Sequence, residues 1–178
     1  MTRALMVDLE TLSTELDATI LTLGAVIFDP YTNTKMDELY LRIDVDSQDV
    51  LGGHVSESTL EWWGKQDPAI MEEAFDPTDR ITIQEAIHQF HQFAWNSDEF
   101  WSNGASFDLM IIQMWYKKLN KPVPWQYWQI RDCRTLYALA DAAMPKGALH
   151  NALEDAKRQA IGVRNVYAAL NFTGKKLT

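Results

Sequence analysis

A chain of 178 residues, 47% of them hydrophobic, suffices for one globular domain with a proper core and is too short for two ordinary ones. Its one cysteine, Cys133, excludes an internal disulfide and a cysteine-cluster zinc site, and suits a reducing cytoplasm. A net charge of −9 argues at first sight against a polyanionic substrate, but the charge is unevenly distributed along the chain.

In chain order, MTRALMVDLE places an acid where a signal peptide needs an unbroken apolar run, and no later segment reaches membrane-spanning length. The expectation is a soluble cytoplasmic protein with no membrane partner. Residues 3–9 (RALMVDL) and 19–28 (TILTLGAVIF) are aliphatic or β-branched runs, and 38–44 (ELYLRID) alternates apolar with polar; all three read as strands of a meander. Ser58 followed by Glu61 has capping-box spacing and opens a helix through Trp62 and Trp63, and a longer amphipathic helix covers 82–96. Phe100-Trp101 is a short strand closed by Asn103-Gly104. Residues 107–119 read as helix, Pro122 to Pro124 as loop, and 134–143 and 153–170 as helices. Strands, helices, another strand and more helices define an α/β class, a mixed sheet flanked by helices, in a single domain over 1–178 with an ordered core at about 3–170. A helical crossover makes the fourth strand parallel to the first, and ligands gather at the carboxyl ends of parallel strands.

Asp8 and Glu10 stand two residues apart at the end of the first strand, so strand geometry turns both carboxylates to one face, where they can share a cation. Composition alone produces such a D-x-E match about once in a chain like this. Placement adds weight, because an apolar strand ending in two acids is costly to bury unless cations neutralise them. Asp108 follows Asn103-Gly104 at the start of a helix, where it serves either as a third acid on the same edge or as an ordinary first-turn acid on the helix dipole. His150 and Asp155 lie before and inside the first turn of the last helix; an H-x4-D spacing arises by chance roughly one time in three. Taken singly, His150 reads equally as a hydrogen-bonded surface histidine and Asp155 as a helix-terminal acid. The conjunction of all three patterns in one order is far rarer than any one of them. Residues 1–112 hold 5 Lys/Arg against 21 Asp/Glu, and residues 113–178 hold 11 against 4. The acidic part suits cations and the basic part phosphates, although on charge alone two ordinary solvated faces is the simpler reading.

These patterns, DLET (8–11), NGASFD (103–108) and HNALEDA (150–156), resemble the DEDDh 3′→5′ exonucleases of the ribonuclease-H-like superfamily, over residues 4 to about 170. The tyrosine variant would need Tyr at position 151, which is Asn. The resemblance implies a ribonuclease-H-like sheet and a nucleic acid partner, a single-stranded 3′ end of DNA or RNA. It implies Asp8, Glu10, Asp108 and Asp155 as ligands of two divalent cations, Mg²⁺ or Mn²⁺, and His150 as general base. Such hard cations prefer carboxylates, and two of them about 4 Å apart can stabilise both the attacking and the leaving oxygen of a phosphodiester. A histidine with a reference pKa near 6.5 can take the proton of the attacking water. The adjacent Trp62 and Trp63, with RDCRT (131–135), resemble a smaller group that includes phage exodeoxyribonuclease A and compact bacterial 3′-exoribonucleases, a likeness that does not choose between DNA and RNA. On a helix the two indoles point about 100° apart, so one packs inward and the other is placed to stack on a terminal base. Thr11 and Leu12 match positions where relatives hold the terminal nucleotide. Asn103 is expected either to orient the terminal sugar or to end its strand, and Arg131 and Arg134 either to grip the backbone or to form internal ion pairs. A ribonuclease-H-like endonuclease and a non-catalytic nucleic-acid-binding module are the competing readings.

Overall fold

The computed structural model describes residues 2–140 and 150–174. In it β1 (Ala4–Thr11), β2 (Ile20–Phe28) and β3 (Asp37–Arg42) form the expected antiparallel meander, and β4 (Glu99–Ser102) and β5 (Ile130–Asp132) extend it in parallel. The strand order is β3-β2-β1-β4-β5, with β1 paired to β2 on one side and parallel to β4 on the other. Helices α1 (Asp46–Asp49), α2 (Glu57–Trp63), α3 (Pro68–Phe75) and α4 (Ile83–Ala94) join β3 to β4, α5 (Asp108–Lys118) joins β4 to β5, and α6 (Cys133–Tyr137) and α7 (Ala152–Ala169) follow.

Layering explains the sequence patterns. β2 is buried along its whole length, which is why it reads as a continuous apolar run, whereas β3 is a partly exposed edge and alternates. Leu5, Val7 and Leu9 of β1 point into a core shared with Phe90 of α4 and with Ile112 and Trp115 of α5. Ala4 and Met6 point the other way, into a core shared with Cys133 of α6 and with Ala156, Ala160 and Val163 of α7. The same period of two carries Asp8 and Glu10 to the α7 side of the sheet. A third, smaller core joins Leu12 and Leu21 to Trp63 of α2 and Ala74 of α3.

Several boundaries differ from the expected ones. The α2 helix is capped by Ser56, whose hydroxyl accepts from the Thr59 amide at 3.3 Å, so Ser58 and Glu61 lie within the helix instead of framing its start. Three elements with no expectation, α1, α3 and β5, are too short to show a period; α3 is nevertheless signalled by Asp67-Pro68, an N-cap followed by proline at the first helical position. The expected helix over 134–143 appears as α6, capped by Asp132, and its expected residues 141–143 lie outside the described residues. No helix among the described residues is long and apolar enough to cross a membrane.

One contact governs how α7 meets the sheet. Gly24 of β2 stands opposite Asp8 of β1 in the ladder, and a Cβ placed on it would lie 2.2 Å from both the Ala152 carbonyl carbon and the Leu153 nitrogen. The first turn of α7 therefore rests on bare β2 backbone, a separation only glycine permits. Gly24→Ala should lower unfolding free energy by about 1–3 kcal/mol through forced displacement of rigid backbone. Urea denaturation measures this, and an unchanged midpoint would show that α7 can yield without cost.

Candidate active site

Three chain segments converge at the carboxyl end of β1. Asp8 and Glu10 leave the strand on the α7 side, and the ladder to β2 shifts register between Glu10 and Thr11, which ends regular pairing there. Asp155 reaches them from the first turn of α7. Carboxylate oxygens of Asp8, Glu10 and Asp155 all lie within 4.8 Å of one another. Asp108 enters from the opposite layer at the start of α5, its Oδ1 accepting the Leu9 amide at 3.2 Å. It lines the same cleft, of ≈ 410 Å³, while standing outside the tight trio.

Asp8, Asp108 and Asp155 are each held by a neighbour. The His150 backbone amide donates to Asp155 Oδ2 at 2.8 Å, and Arg158 Nη1 donates to Oδ1 at 2.5 Å. His150 adopts φ 66°, a left-handed conformation that turns the chain just before α7, whose N-cap Asn151 accepts from the Glu154 amide. The His150 ring packs edge-on against Trp62, with centroids 4.8 Å apart. Gln159, one helical turn beyond Asp155, donates from Nε2 to Asp8 Oδ1 at 2.8 Å, and its Oε1 has no protein partner. Nothing in the sequence reading singled out Gln159; its position four residues after Asp155, on the same helix face, is the signal that would have found it.

Burial and mutual repulsion dominate the electrostatics. Desolvation, then Asp108 and Glu10, hold Asp8 well above the ordinary carboxylate range. Glu10 is pushed up to about 8 by burial and then by Asp155 and Asp108. Burial raises Asp108 against the stabilising amide of Leu9, and raises Asp155 against the amide of His150 and the Arg158 guanidinium. Grouped acids whose carboxyls burial and mutual repulsion push upward are the donor set that a hard divalent cation stabilises in the ionised form, so these residues fit such ions.

The remaining expected residues separate. Trp63 is 2% exposed, with its indole nitrogen donating to the Thr11 carbonyl at 2.9 Å, whereas Trp62 keeps 40% of its surface. The inward-packing indole is thus Trp63, which takes it out of the substrate-binding set. Leu12 is also withdrawn: its side chain lies in the third core, its amide donates to Thr19 and its carbonyl accepts from Ser56. The Thr11 hydroxyl donates to the Ser13 carbonyl, and the side chain is buried. Asn103 and Arg134 line the cleft, while Arg131 turns away to Glu99 and to the Trp128 carbonyl.

The fold matches part of exonuclease I. E. coli exonuclease I in its zinc-bound complex with single-stranded DNA superposes with a TM-score of 0.67 at 13% identity, covering 97% of this chain and 42% of that one. Exonuclease I from Methylocaldum szegediense gives 0.67 at 14% identity, with coverage of 97% and 42%. The chain thus spans less than half the length of these neighbours. A comparison with curated proteins finds no match. The family model of the 3′-5′ exoribonuclease Rv2179c-like domain matches residues 3–167, and the chain belongs to that family. The match falls on the exoribonuclease side of the resemblance drawn from the tryptophan pair.

Glu10 titrates near 8 when folded and near 4.5 when not. Folding therefore takes up a proton between those values, and the stability of metal-free protein falls as pH rises through that window and levels off above it. In chelator, the melting temperature should decline from about pH 5 to about pH 8, and a divalent cation should abolish the decline. A flat profile in chelator would contradict the electrostatic account.

Proposed function

We propose that this domain is a 3′→5′ exonuclease of single-stranded RNA that uses two divalent cations, Mg²⁺ or Mn²⁺, and releases nucleoside 5′-monophosphates. The observation that carries this reading is the meeting of Asp8, Glu10 and Asp155 within 4.8 Å beside His150 and Asp108. The family description supports RNA as the polymer, and the neighbours solved with single-stranded DNA support a strand with a free 3′ end.

Asp8, Glu10, Asp108 and Asp155 would hold the cations. Bound there, divalent ions supply charge neutralisation at the phosphate and the acidity that makes water a nucleophile near neutral pH. His150, at the mouth of the acidic trio, accepts the proton of the attacking water, and its ring is steadied by the edge contact with Trp62. Gln159 fixes the orientation of Asp8, and Arg158 that of Asp155. Arg134 and Asn103, which line the same cleft, are placed to meet the phosphate and sugar of the terminal nucleotide. The half-exposed face of Trp62 offers a stacking surface for its base. Cys133 is buried, and burial pushes its thiol up to about 12, so it provides no thiolate for covalent catalysis. Hydrolysis is therefore a single in-line displacement by water.

Purified protein incubated with 5′-labelled RNA and DNA oligonucleotides, in Mg²⁺, Mn²⁺ or chelator, should give a ladder shortening from the 3′ end, faster on RNA and absent in chelator. Cutting of circular single strands would overturn the exonuclease assignment in favour of a ribonuclease-H-like endonuclease. Asp155→Asn and His150→Ala should each lower kcat by about 10²–10⁴-fold with the fold intact. Circular dichroism together with steady-state kinetics checks both halves of that statement, and wild-type rates would remove the residue from its role.

A further inference from the structure

The outer face of α5 opens on a groove of ≈ 780 Å³ whose walls include Met110, Gln113, Lys117, Lys121, Trp125 and Tyr127. Although the chain carries 25 Asp and Glu, none of the described ones lines this groove, and two lysines do. Lys117 and Lys121 are both exposed, in contrast to Lys118, which is spent on the carbonyls of Leu51 and Gly52. Tyr127 is 83% exposed, an unusual position for an aromatic ring with no partner except the neighbouring Trp128. Trp125 supplies an independent observation. It is 4% exposed, yet its indole N–H has no acceptor among the described residues, whereas the N–H groups of the buried Trp63, Trp101 and Trp115 donate to Thr11, Glu99 and Ala18. A buried donor left without a partner beside an open groove marks a place for an acceptor from outside the chain.

The groove and the cleft border the same helix. Asp108 and Met110, two residues apart on α5, line the cleft and the groove respectively. The 11 residues of α5 are about 16 Å long, the length of roughly five stacked nucleotides at ~3.4 Å each. We propose that this groove holds the single-stranded segment upstream of the 3′-terminal nucleotide, with phosphates against Lys117 and Lys121 and a base stacked on Tyr127. A polyanion with π-faces matches both features of the groove, positive charge without acids and an open aromatic ring. This assignment of the upstream track rests on the exonuclease reading, but it is tested without catalysis.

Fluorescence anisotropy of a 5′-labelled RNA of about 12 nucleotides, in chelator so that no hydrolysis occurs, gives the affinity. The double variant Lys117→Glu, Lys121→Glu should weaken binding roughly tenfold and flatten the slope of log K against log salt by about 1.4, the share of two phosphates on a single strand. Tyr127→Ala should weaken it about fivefold or more. With Mg²⁺ or Mn²⁺, the same variants should lose kcat/KM on the long RNA and keep it on a dinucleotide, which does not reach the groove. Equal affinity in wild type and variants, or no binding by the wild type, overturns the proposal. So does a change confined to oligomeric state in sedimentation, which would make the groove an interface between two copies of the chain. RNA that binds the groove without being shortened in any metal would leave this inference standing and defeat the exonuclease reading instead.

Discussion

The approach of α7 to the bare backbone of β2 at Gly24 positions everything else in the site. Gly24 is the ladder partner of Asp8, so the point where the helix touches down is also the point where the first acid leaves the sheet. From that contact the first turn of α7 brings Asp155 alongside Asp8 and Glu10, and one turn later Gln159 reaches Asp8. A Cβ at position 24 would press on the first turn of α7, the segment that carries Asp155. The smallest residue in β2 thus acts on the chemistry without containing any functional group.

In the metal-free chain, burial and mutual repulsion in this pocket work against the ionised form of its acids. The fold buries Glu10 and Asp108 and leaves Asp8 partly exposed between them, so burial and mutual repulsion push all three carboxyls upward. Hydrogen bonds ease this without removing it: the Leu9 amide serves Asp108, the His150 amide and Arg158 serve Asp155, and Gln159 serves Asp8. Energy stored in mutual repulsion is what a divalent cation recovers on binding, so affinity for metal and instability without it have one origin. The orphan Oε1 of Gln159 belongs to the same picture, a buried acceptor left incomplete at the edge of an acidic pocket.

The tryptophan pair on α2 shows how a secondary core reaches into function. Trp63 anchors the helix by filling the space between Leu12, Leu21 and Ala74 and by bonding the Thr11 carbonyl just past Glu10. With that anchor in place, Trp62 has one direction left, and it meets the ring of His150. The loop after the first acidic motif is thereby committed to structure, since Thr11 and Leu12 spend their polar groups on Ser13, Thr19, Trp63 and Ser56. In the proposed reading, substrate contacts fall to Asn103 and Arg134 of the cleft and to the outer face of α5.

Much of this molecule is legible from its residues in order. Apolar runs and their period identify β1 to β3, Asn103-Gly104 marks the end of β4, and the order of DLET, NGASFD and HNALEDA names the four acids and the histidine, because local pattern and chain order are properties of the sequence itself. Other features depend on which surfaces meet. Three-residue β5 has no period to read and exists only because β4 offers it an edge. Nothing local distinguishes Trp62 from Trp63, Arg131 from Arg134, or Lys117 from Lys118; each pair is divided by which neighbour the packed chain supplies. Gln159 and Gly24 gain their roles only across the helix-to-sheet contact, since a hydrogen bond spanning 151 residues and a backbone approach too tight for a Cβ are facts of tertiary structure alone.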